Sequence, residues 1–164
     1  MKKPTRVMMV EDHPEFREII EFAIGEEADI ELAGLYGNAE QALRELQEKQ
    51  SVDIVLLDLN LPVMSGLEAI PWITKYSPDT KVIILSQSNM ESDVLQAIQL
   101  GASGYLLKSS TMDEIIYGIR TVRDGGAIMD KGLARFIIHS LQKIPFLVSF
   151  LFVFISKLLL LIGG

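Results

Sequence analysis

Four consecutive aliphatic residues, Ile54-Val55-Leu56-Leu57, are followed at once by Asp58. A run with no apolar–polar alternation is buried on both faces, as in a central strand of a covered parallel sheet. A charge directly after it belongs at the carboxyl edge, where open α/β sheets gather their chemistry. The rest of the chain follows the same plan. Short apolar, β-branched runs at Thr5–Val10, Ile30–Tyr36, Asp53–Asp58, Lys81–Leu85 and Gly104–Leu107 predict strands. Amphipathic stretches at Pro14–Glu27, Ala39–Glu48, Gly66–Tyr76, Glu91–Leu100 and Met112–Asp124 predict helices between and after them. Such alternation predicts a parallel sheet with helices on both faces, joined by right-handed crossovers.

Local signals support these helix boundaries. Asn38/Gln41, Ser65/Glu68 and Thr111/Glu114 have the spacing of reciprocal N-terminal caps. Pro14 suits a first helical turn, where its missing N–H costs little. Gly101 and Gly125-Gly126 suit helix ends.

The 164 residues suffice for one domain and an appendage. The net charge of -7 gives no general attraction for nucleic acid. The absence of cysteine excludes disulfides, thiol catalysis and cysteine zinc sites. His13 and His139 lie far apart and show no metal spacing. Met1–Val10 lacks the long apolar stretch of a secretory signal, so a cytoplasmic body is expected.

Four charged residues fall at predicted strand ends: Glu11 and Asp12, Asp58, and Lys108. Carboxylates gathered in one place call for a cation. Mg²⁺ suits hard oxygen ligands, with Asp12 and Asp58 direct, the Asn60 backbone carbonyl nearby and Glu11 through water. Asp58 can act as an oxygen nucleophile toward phosphorus, giving an acyl phosphate. Ser86 and Lys108 follow the fourth and fifth strands, where each can contact a phosphoryl oxygen. Taken singly, each of these residues has a plain structural reading: a solvated loop, a turn, a surface charge, or packing for Tyr105. Their joint order along the chain is what points to a site.

Val10-Glu11-Asp12-His13-Pro14, Leu57 to Gly66, Ser86, and Gly101 to Lys108 together resemble a response-regulator receiver domain, the CheY-like phosphoacceptor fold. The text from Gly101 to Gly126 resembles receivers of the LuxR/NarL-type transcriptional regulators. The resemblance implies a doubly wound five-stranded parallel sheet in the order 2-1-3-4-5. It also implies phosphorylation of Asp58 by a sensor histidine kinase with Mg²⁺, an acidic pocket of Glu11 and Asp12, and phosphate sensing by Ser86 and Lys108. Tyr105 would be the aromatic switch that turns inward as Ser86 moves. The fourth helix, fifth strand and fifth helix would form the signalling face and a homodimer surface.

We expect a receiver over 1–126, a linker with an amphipathic helix over 127–144, and a hydrophobic helical tail over 145–164. Lys131, Arg135, His139 and Lys143 recur every fourth residue, opposite Leu133, Phe136, Ile137 and Leu141. No basic recognition helix follows, so direct DNA binding by this chain is not expected. The tail has three readings. As an anchor, its apolar helix would make membrane contact through 145–164. As a packing helix, it would fold back or pair with another subunit's tail. As a frameshift product it would reflect T-rich DNA, since Phe, Leu, Ile, Val and Met share a middle U in their codons.

Two rival functions complete the set. One is a truncated or frameshifted DNA-binding regulator. The other is a Mg²⁺-dependent phosphohydrolase, which commonly carries a second acid just beyond its nucleophile. Leu59-Asn60-Leu61 supplies none. Because any acyl phosphate would form and hydrolyse on the chain itself, a regulator rather than an enzyme is expected.

Overall fold

A computed structural model describes residues 2–48, 51–143 and 145–163. The chain divides into two compact units, Met1–Asp130 and Lys131–Gly164.

The first unit alternates β1 (Thr5–Val10), α1 (Pro14–Gly25), β2 (Ile30–Tyr36), α2 (Ala39–Glu48), β3 (Ile54–Leu57) and α3 (Gly66–Tyr76). It continues with β4 (Lys81–Ser86), α4 (Glu91–Gln99), β5 (Gly104–Leu107), α5 (Met112–Arg123) and β6 (Ile128–Met129). All pairings are parallel, in the order β2-β1-β3-β4-β5-β6. The expected 2-1-3-4-5 order is present. The expectation of five strands is corrected to six: Ile128–Met129 pairs with the outer edge of β5. Two residues are too few to show a strand period, so only the exposed β5 edge reveals them as a strand.

Each residue of β3 is at most 1% exposed, as its unbroken aliphatic run requires. One side of the sheet presents Val7, Met9, Ile54, Leu56, Ile83, Leu85 and Leu106 to Ile20 and Ile24 of α1 and to Ile115, Ile119 and Val122 of α5. Alternate strand residues point to the other side. There α2, α3 and α4 bury Leu43, Leu46, Ile70, Ile73, Val94 and Ala97. Asp53 and Asp58 flank β3 rather than belonging to it.

Ser65 and Glu68 form the reciprocal cap of α3. The Asn38 side chain accepts from the Gln41 N–H before α2. Thr111 accepts from the Glu114 N–H, but the Glu114 carboxylate takes the Thr111 hydroxyl instead of reaching back to the cap backbone. The reciprocal cap expected there is therefore only half formed. After α4, Gly101 adopts φ 101° and the Ala102 N–H returns to the Ala97 carbonyl. After α5, Gly125 adopts φ 90° and the Gly126 N–H returns to the Thr121 carbonyl. Both ends are Schellman closures, in which a left-handed residue lets the next N–H satisfy a free carbonyl. Gly126 thus serves as the closing donor, without positive φ itself.

The second unit holds α6 (Lys131–Gln142) and α7 (Pro145–Ile162). Ile144, at the end of the expected linker helix, and Gly164 lie outside the described residues. Along α6, Leu133 and Ile137 are buried while Lys131, Arg135 and His139 are exposed, as is Lys143 just after the helix, consistent with a solvated basic face. Phe136 and Leu141, expected on the buried side, are exposed instead, so the apolar stripe is narrower than the pattern implied. Among the described residues no helix is long and apolar enough to cross a membrane. The anchor reading of the tail finds no support there.

Candidate functional site

The register sets the site. Val10 of β1 pairs with Leu57 of β3, and Ser86 of β4 pairs with Leu107 of β5. The next residues along the chain are therefore Glu11, Asp58 and Lys108, all at one sheet edge. Backbone bonds fix them there: Glu11 N–H to Tyr36 O, Asp58 N–H to Val10 O, and Lys108 N–H to Ser86 O, at 2.9, 3.1 and 2.9 Å. Gly66 closes the loop below Asp58. A Cβ at Gly66 would lie 2.1 Å from the Asp58 carbonyl oxygen, so only glycine fits.

Lys108 joins the two buried carboxylates. Its Nζ lies 2.7 Å from Glu11 Oε2 and 3.1 Å from Asp58 Oδ2. Asp58 Oδ1 accepts the Asn60 N–H at 3.3 Å. Burial pushes the Asp58 carboxyl above its ordinary range, repulsion from Glu11 adds to this, and Lys108 opposes it. Asp58 thus carries a charge that its surroundings compensate only in part.

The acidic cluster is richer than the sequence reading allowed. His13, placed in no site by its spacing, stands beside it. Glu11 Oε1 accepts both the His13 N–H, at 3.0 Å, and a contact from Nδ1 at 2.9 Å. Nδ1 is also 3.2 Å from Asp12 Oδ1. The position of His13 just before α1, with Pro14 fixing the first turn, turns its ring back over the preceding carboxylates. No spacing rule registers so local a bend.

Donor atoms of Glu11, Asp12, His13 and Asp58 lie within 4.8 Å of one another. Asp12 Oδ1 is buried and accepts no hydrogen bond. With the His13 ring nearby but no hydrogen bond formed, a buried carboxylate oxygen is costly, and a cation would complete its surroundings. The cluster of carboxylates around it fits a hard divalent ion.

The other predicted residues form a second group beside the first. Ser86 is fully buried, and its Oγ accepts the Ser88 N–H at 3.1 Å. Tyr105 is 1% exposed and turned inward, its hydroxyl donating to the Ser88 carbonyl at 2.8 Å. Burial raises the Tyr105 hydroxyl above its usual range. The Ser88 hydroxyl in turn donates to Asp93 in the first turn of α4. Ser88 is thus the common partner of Ser86, Tyr105 and α4. It escaped the sequence reading because a serine in a β–α loop has no distinctive spacing.

Residues 7–120 match the family model described as response regulator receiver domain. The chain belongs to the response regulator receiver family. It is 32% identical to the nitrate/nitrite response regulator protein NarL of Escherichia coli strain K12, over 86% of this chain and 65% of that one. It is 32% identical to the transcriptional regulatory protein DegU of Brevibacillus brevis, over 85% of this chain and 58% of that one. The receiver chain therefore spans less than two thirds of the length of these relatives. Among solved structures it resembles a LuxR-family two-component response regulator from Aurantimonas sp. SI85-9A1. The TM-score is 0.79 and the identity 30%, over 84% of this chain and 98% of that one. The isolated receiver domain of RcsB from Salmonella enterica serovar Typhimurium, in the presence of phosphomimetic BeF3-, shares the fold at a TM-score of 0.74. There the identity is 17%, over 81% of this chain and 98% of that one. The receiver of a two-component response regulator is a regulatory module.

Proposed function

We propose that this receiver takes a phosphoryl group on Asp58 from a sensor histidine kinase in the cytoplasm. The observation that carries this reading is the Lys108 ammonium shared by Glu11 and Asp58 beside a buried Asp12 oxygen that accepts no hydrogen bond. Asp12, Asp58 and the Asn60 backbone carbonyl would hold Mg²⁺, with Glu11 acting through water. When bound, Mg²⁺ supplies charge that offsets both the carboxylates and the phosphoryl oxygens.

The chain's own residues do the remaining work. The Asn60 N–H and Lys108 hold the Asp58 carboxylate in one orientation. One Asp58 oxygen attacks phosphorus. The bond from phosphorus to the donor imidazole nitrogen breaks, and its electron pair stays on that nitrogen. Lys108 then exchanges its bond with Asp58 for one with a phosphoryl oxygen. Ser86 Oγ accepts the Ser88 N–H in the structure, and its hydroxyl would donate to a phosphoryl oxygen. Because Ser88 bonds Ser86 and Tyr105 alike, a shift of Ser86 toward phosphate carries Tyr105 with it. Slow hydrolysis of the acyl phosphate ends the signal.

The receiver is assigned to 1–126, the linker to 127–144 and the tail to 145–164. Output runs through the face of α4, β5 and α5, which also serves as a homodimer surface. The phosphohydrolase reading is not favoured, since Leu59-Asn60-Leu61 offers no second acid. The test is Mg²⁺-dependent labelling of the full chain by a small phosphodonor. Asp58→Asn should abolish it, and undiminished labelling of that variant would sink the assignment.

A further inference from the structure

A lysine side chain has a long flexible stem and a strongly hydrated charge, so something must hold it. Glu11 and Asp58 supply two contacts to Lys108 Nζ. The third is aromatic: Nζ lies 5.2 Å from the centroid of the Phe16 ring. Phe16 is in the first turn of α1, and its half-buried side chain packs against the main core cluster. Phe16 and Lys108 together line a cavity of about 600 Å³ that His13, Gln87 and Asn89 also border. Lys108 is only 9% exposed beside that open space.

The two kinds of contact differ in what they leave available. A carboxylate neutralises the ammonium and competes with phosphate for it. An aromatic face attracts the cation through its quadrupole and excludes water, yet leaves the net charge intact. When Lys108 gives up Asp58 for a phosphoryl oxygen, the ring contact can persist. Without the ring, a solvated ammonium has the cavity to swing into.

We propose that Phe16 is a positioning residue for Lys108, holding its ammonium against the ring so that its charge is aimed at the phosphoryl group on Asp58. This rests on the reading of Asp58 as the acceptor. The test uses the full chain with Phe16→Leu, Phe16→Trp, and progressively fluorinated phenylalanine at position 16. Fluorination withdraws electron density from the ring with little change of shape, so folding is preserved. Two quantities are read: the rate of Mg²⁺-dependent labelling by phosphoramidate, and exchange of the Lys108 ammonium protons with water by NMR, without metal or donor.

The expected result is a stepwise fall in labelling rate with fluorination. The loss should reach on the order of 2- to 30-fold for the most fluorinated ring and for leucine. Tryptophan should retain the rate, and ammonium exchange should quicken in the same order. Unchanged labelling and exchange across the fluorinated series, with Phe16→Leu lowering only the melting midpoint, would overturn the proposal and leave Phe16 as packing. Failure of the Asp58 assignment would show separately, as labelling that survives Asp58→Asn. The ammonium exchange would still report on the ring contact.

Discussion

At Asp58, burial and the neighbouring Glu11 raise the carboxyl above its ordinary range in the folded chain. A raised folded value means that the folded state holds a proton where the unfolded state, near the usual value of about 4, has released it. The associated stability is present below that usual value and is lost as pH rises through the folded value. Ionised Asp58 therefore weakens the fold at neutral pH. Asp58→Asn has no such loss. Melting midpoints of the two chains should diverge as pH rises from about 4 toward neutrality, with the variant the more stable at the upper end. Added Mg²⁺ should narrow the gap by raising the wild type alone. Parallel pH curves with no response to Mg²⁺ would contradict this reading of the pocket. Nearby, Val63 adopts φ 67° while 98% exposed. A β-branched residue in the left-handed region is strained, and the strain sits in the loop leaving Asp58.

At the scale of elements, two features tie distant parts of the chain together. Arg120 of α5 donates to both oxygens of Asp29, before β2, and to Glu27, while Arg123 adds a bond to Asp29. These guanidinium groups hold the Asp29 carboxyl well below the usual range, and solvent screens the cluster. The second feature is β6. The Ile128 N–H binds Ser103 O, and the Asp130 N–H binds Tyr105 O, at 3.2 and 2.9 Å. β6 therefore pairs with the same strand segment that carries Tyr105. The close fit depends on Gly104, where a Cβ would lie 2.6 Å from Ile128 Cγ2 and 3.1 Å from Ile128 O. Gly104→Ala should displace β6 at a cost of about 1–3 kcal/mol. Hydrogen exchange would show it as lost protection at Ile128 and Asp130. Retained protection there would mean that the neighbouring side chains absorb the methyl group.

For the whole molecule, the division at Asp130 separates a unit with its own core from one made of two helices. Every proposed site residue, from Glu11 to Lys108, belongs to the first unit. The expectation is that a chain ending at Asp130 melts cooperatively and is labelled on Asp58 at the rate of the full chain. A broad, non-cooperative transition would show that the second unit is needed for the first to fold. In that second unit, α7 leaves Phe150, Phe152, Phe154 and Leu158 to Ile162 exposed. So large an apolar surface is a liability for an isolated chain in water, and the shorter chain should remain dispersed at concentrations where the full one associates.

Local chemistry was enough for the strand–helix alternation, the Ser65 cap, the glycine ends of α4 and α5, and the gathering of Glu11, Asp12, Asp58 and Lys108 at one sheet edge. Each of these follows from residues a few positions apart, or from the rule that consecutive parallel strands end on the same side. Tertiary structure decided the rest. β6 exists because β5 offers unpaired backbone groups, and nothing within Ile128–Met129 announces it. Phe16 joins the site because the first turn of α1 lies beside Lys108, nearly a hundred residues away along the chain. The inward Tyr105 depends on a carbonyl in the β4–α4 loop. Partners brought together by folding across such distances leave no period in the sequence, so only the packed sheet and its helices show which side chains meet.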